Sequence, residues 1–71
     1  MTSTAVFEQD GACWIGYVEE LPGANAQGAT LDEARDNLRE AMKLIVAANR
    51  DLARQVATGK SVIREPLNVA L

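Results

Sequence analysis

The chain contains no histidine and a single cysteine, Cys13. Without histidine, neither a Ser–His nor a Cys–His nucleophile pair can be assembled. One thiol cannot close a disulfide within the chain. With no CxxC motif and no Cys/His cluster, a structural zinc site is not expected either. No run of 18 apolar residues is present, so no helix should span a membrane. Met1 to Ala5 has neither the basic n-region nor the apolar h-region of a signal peptide. Together with a free thiol, this points to a reducing, cytoplasmic location. No cofactor is implied by any of these residues.

What is present is short and acidic. With 71 residues there is room for one domain, spanning 1–71. Such a chain buries only about 60% of its unfolded surface, which leaves it marginal unless a staple or a partner helps. Disulfide and zinc being excluded, oligomerisation is the remaining route. The net charge is −3, which argues against direct nucleic-acid binding. The charge is also unevenly placed. Up to Glu40 there are eight acidic residues and two basic ones; beyond it there are five basic and two acidic. The acidic front half suits a basic partner, although a merely soluble surface would look the same.

Two segments read as a β-hairpin. Thr2–Gln9 carries Val6 and Phe7, and Cys13–Glu19 carries Trp14, Ile15, Tyr17 and Val18. Both are rich in β-branched or aromatic residues, and Asp10-Gly11 between them is a turn signal. Alternation places Cys13, Ile15 and Tyr17 on one face and Trp14, Gly16 and Val18 on the other. Apolar residues on both faces predict a central strand, with Cys13 a packing residue. Pro22-Gly23 marks a tight turn. A short third strand, Ala24–Gln27, is expected to close at Gly28.

Thr30-Leu31-Asp32-Glu33 fits a capping box, in which Thr30 and Glu33 satisfy each other's backbone N–H groups. A helical apolar stripe then runs through Leu31, Ala34, Leu38, Met42, Ile45, Leu52 and Val56. Thr58-Gly59 is a stop signal, giving a helix over 31–57 about 40 Å long. Asn49 interrupts the stripe and Leu44 lies off it, which hints at a second contact surface. Leu67, Val69 and Leu71 alternate with Asn68 and Ala70, predicting a final strand after Pro66. The expected fold class is α+β, with order β-β-β-α-β and one long helix on one face of the sheet. The other face would be open to a partner or a twin.

The segment Trp14-Ile15-Gly16-Tyr17-Val18-Glu19-Glu20-Leu21-Pro22-Gly23, followed by Gln27-Gly28-Ala29-Thr30-Leu31-Asp32-Glu33-Ala34, resembles the HicB-like antitoxin pattern. In that pattern a strand ends in a Leu-Pro-Gly turn, and a Gln-Gly-x-Thr link enters a helix through Thr-Leu-x-Glu-Ala. The resemblance covers the whole chain and is firmest from Trp14 to Ala41. It implies a partial RNase H-like sheet. It also implies a function: neutralising, by direct contact, a small basic HicA-type toxin that cuts messenger RNA. Family members often carry an additional DNA-binding domain, which has no counterpart up to Leu71; a short, stand-alone member is expected.

A rival reading is a metal-dependent RNase H-like nuclease. Such enzymes need several converging carboxylates, one in the middle of the first strand. Here that strand has only Glu8, near its end, and the last has only Glu65, so no enzyme is expected. A second alternative is a stand-alone structural or small-ligand-binding oligomer of the same fold. The residues assigned to a partner or oligomer interface are Trp14, Val18, Glu19, Glu20 and Leu44. Trp14 is placed there because it shares a face with Gly16 and Val18. Leu21, Pro22, Gly23, Gly28, Thr30 and Glu33 are assigned to the structural motif.

Overall fold

A computed structural model describes residues 3–69. Its class is α+β: three antiparallel strands followed by one long helix. The strands are β1 (Ala5–Asp10), β2 (Cys13–Val18) and β3 (Asn25–Gly28), and the helix is α1 (Leu31–Ala57). The sheet order is β1-β2-β3, so β2 is central as expected. In the hairpin, Asp10 pairs with Cys13. Asp10 therefore closes the strand, and the two-residue loop is Gly11-Ala12. Gly11 has φ +61 and, among the described residues, no non-glycine residue has positive φ, the pattern of a type II′ turn, which matches the twist of paired strands.

Two successive turns join β2 to β3. Leu21 N–H donates to Val18 C=O, and Ala24 N–H donates to Leu21 C=O. The second turn has Pro22 and Gly23 at its centre, and Gly23 sits at φ +91. That conformation makes it type II, with proline presetting the first position and glycine the second.

The helix has the N-cap that the sequence predicts. Thr30 is its N-cap and Oγ1 accepts from the Glu33 N–H at 3.1 Å. Among the described residues the reciprocal half of the capping box is not formed; Glu33 instead lays its Cβ over Gly28. A Cβ on Gly28 would lie 2.6 Å from the Ala34 nitrogen. Glycine is required there because the first turn of the helix rests directly on the end of β3.

The core is small. Val18, Ala24, Ala34 and Leu38 are its buried hydrophobics, with Phe7, Leu21, Ala26, Met42 and Ile45 packed around them. Gly16 is buried at the centre of the sheet, and a Cβ there would meet the Phe7 ring at 2.8 Å. Leu38 lies just beyond, at 3.4 Å. The missing side chain is what lets Phe7 and the helix settle onto this face. Asn37 adds a polar tie, donating from Nδ2 to the Gln27 carbonyl at 2.9 Å.

The expected last strand is not formed among the described residues. Residues 61–69 have no regular structure and are exposed, while Ala70 and Leu71 lie outside the described residues. Geometry gives the reason. A Cβ on Gly23, in the turn at the end of the sheet, would lie 3.7 Å from Ile45 Cδ1, and twelve further helical residues carry the chain roughly 18 Å past Ile45. About six extended residues would be used up in returning. Pro66, which cannot donate a ladder hydrogen bond, falls where pairing would begin.

Candidate interaction surface

Strand parity and the position of the helix divide the sheet into two unlike faces. The register pairs Phe7 with Gly16 and Gly16 with Ala26. These residues, with Val18, look toward the helix. The opposite face carries Val6, Glu8 and Asp10 from β1, Cys13, Ile15 and Tyr17 from β2, and Asn25 and Gln27 from β3. Ile15 and Tyr17 stand at its centre, 36% and 41% exposed. A shallow cleft of about 250 Å³ lies beside Ile15, bordered by Asn25 and Gln27. The face is thus apolar in the middle with carboxylates along one side.

This arrangement corrects the placement of three residues. Val18 is only 4% exposed; it belongs to the core and offers nothing to a partner. Trp14 lies on the helix-covered side and is half-buried, opposite Gly28. Cys13, expected to pack, is exposed on the open face. One cause accounts for all three: the helix approaches the face on which Gly16 leaves room. A glycine flanked on its own face by Trp14 and Val18 was the signal in the sequence, and it marks the close-packed side. Ile15 and Tyr17 are the residues that the sequence reading left out of the interface.

Glu19 and Glu20 sit exposed at the corner where β2 ends. The Glu19 N–H donates to the Thr4 carbonyl at 3.0 Å. The Thr4 N–H in turn donates to Glu20 Oε1 at 2.6 Å. That charge-assisted bond holds the Glu20 carboxyl below its ordinary range. Glu20 is therefore partly occupied in fixing the start of β1, whereas Glu19 remains available. Leu44 is 71% exposed on the helix, away from the sheet. Leu21 is half-buried against the core, and Pro22 and Gly23 form the turn beneath it. Among the described residues no cluster of three or more His, Cys, Asp or Glu side chains is placed to hold a metal ion. No described helix is long and apolar enough to cross a membrane.

No protein-family model matches the chain, and no solved structure matches it. A UPF0150 protein of Synechocystis sp. is 47% identical over 45 residues. The match covers 61% of this chain and 61% of that protein.

Proposed function

We propose that the chain is an antitoxin-like interaction module of the HicB type, acting in the cytoplasm by binding a small, basic, HicA-type mRNA-cleaving toxin. Its sheet would then be a partial RNase H-like unit without a closing strand. The observation that carries the reading is the open sheet face, where Ile15 and Tyr17 are exposed beside Glu8 and Asp10. An apolar centre rimmed by charge of one sign suits a protein partner of the opposite sign. The ordered motif from Trp14 to Ala41 supports the choice of partner.

The test begins with the reading frame next to this one. It should encode a small basic protein whose induction arrests growth and cleaves messenger RNA. Coexpression of this chain should restore growth, and the two purified proteins should form a stable complex. Tyr17→Lys should abolish that complex while leaving the circular dichroism spectrum unchanged. Reversing Glu19 and Glu20 to lysine should slow association and flatten its salt dependence, with less effect on dissociation. A basic neighbour that is neither toxic nor bound, or the absence of such a neighbour, overturns the proposal.

A further inference from the structure

The distal half of the helix and the tail that follows carry charge of the sign opposite to the sheet. Nearer the sheet, the helix cations are locally neutralised. Arg35 pairs with Asp32 at 2.9 Å, Arg39 with Asp36 at 3.1 Å and Lys43 with Glu40 at 3.0 Å. Beyond Lys43 no ion pair forms among the described residues, although Arg50, Arg54, Lys60 and Arg64 all lie there. Three of these border one groove. Arg50, Arg54 and Arg64 surround a cleft of about 370 Å³ with Ala53, Ala57 and Val62. Arg50 also borders a second cleft, with Met42, Lys43 and Val46. The two clefts adjoin at that arginine, and small and branched apolar side chains line both.

We infer that this basic groove is the seat for the open, acidic sheet face of a second copy of the chain, the two copies exchanging arms in a reciprocal dimer. Two observations favour this occupant. First, the charge is unequally shared: Glu8 and Asp10 lie on the open sheet face, whereas the arm beyond Lys43 carries Arg50, Arg54, Lys60 and Arg64 against Asp51 and Glu65. Arm against arm would bring arginines together, and sheet against sheet would bring carboxylates together. Arm on sheet is the pairing in which opposite charges meet, and like-charge juxtaposition is strongly unfavourable. Second, both surfaces have apolar centres: Ile15 and Tyr17 on one, Val46 and Val62 on the other. A two-fold arrangement satisfies both arms and both sheets at once and closes. A second copy and the toxin of the proposed function would compete for the same open sheet face, but the inference needs no toxin, so the chain alone tests it.

The decisive experiment is a charge swap followed by sedimentation equilibrium. The parent chain should be a dimer at micromolar concentration, and its dissociation constant should rise with salt. One variant carries R50E and R54E; the other carries E8K and D10K. Each alone should associate at least about tenfold more weakly than the parent, because both contacts become repulsive. Mixed in equal amounts, they should form a heterodimer, because both contacts become attractive again. A parent that stays monomeric, variants that dimerise like the parent, or a mixture that fails to associate would overturn the inference. A second measurement needs no charge reversal. Cys13 is the only cysteine and is exposed on the open face. A benzophenone maleimide placed on it should crosslink to residues 43–64 of an isotopically distinct copy. Crosslinks confined to its own chain, or directed elsewhere, would count against the arrangement whatever the variants do.

Discussion

The two halves of the helix carry the same kind of apolar repeat and meet opposite fates. From Leu31 to Ile45 the stripe lies against the sheet: Ala34 and Leu38 are buried, and Met42 and Ile45 pack on the core. From there to Ala57 the stripe continues in register through Leu52 and Val56, yet these are 60% and 61% exposed. Asn49, a polar residue on the stripe, sits in this exposed half. Periodicity of 3.6 specifies a helix and names a face. What covers that face depends on the reach of the sheet, and a four-residue β3 supports only half of a 27-residue helix.

The largest expected contrast between the halves comes from truncating matched leucines. Leu38→Ala should cost about 2–5 kcal/mol, comparable to the roughly 3–5 kcal/mol that a core this small supplies. Leu52→Ala, on the same stripe, should change stability by less than about 0.5 kcal/mol in the monomer. Equal urea midpoints for the two variants would erase the distinction. Gly28→Ala comes next. The new Cβ would collide with the backbone of the first helical turn, an overpacking cost of about 1–3 kcal/mol, and thermal unfolding should show it. Thr30→Ala removes the cap bond and should cost about 0.5–2 kcal/mol; an unchanged urea midpoint would mean the cap contributes nothing.

The smallest effect concerns pH. The folded-state pKa of Glu20 is lowered by the Thr4 N–H, so its contribution to stability is present above the ordinary glutamate pKa. It is lost as pH falls through the lowered folded value. The Thr4 amide resonance should shift as Glu20 is protonated, and E20Q should abolish that titration. An amide that titrates unchanged in E20Q would place the proton elsewhere.

Much of this was legible in the sequence. The helix runs over 31–57 as the stripe and the Thr58-Gly59 stop require, and Asp10-Gly11 and Pro22-Gly23 mark both connections within the sheet. β2 starts at Cys13 as expected and the expected start of β1 at Thr2 lies outside the described residues; the other strand bounds differ by one residue, because pairing, not composition, decides where a ladder ends. Two features were misread. Alternation separated the two faces of β2 correctly but could not say which one the helix takes; the glycine between Trp14 and Val18 decides that by sterics. The tail from Leu67 alternates like a strand, but local pattern holds no information about the distance back to the sheet.

Among the described residues, each strand hydrogen-bonds only to its neighbour in sequence, and the helix packs chiefly on the strand just before it. A folding chain therefore has no long loop to close. Topologies dominated by such local contacts reach the native state fastest, because little chain entropy is lost before contacts compensate for it. The hairpin can form as soon as Val18 is available, β3 adds to its edge a few residues later, and the helix needs no further partner from downstream. Refolding should accordingly be a single fast phase, ahead of any concentration-dependent step in which two chains meet.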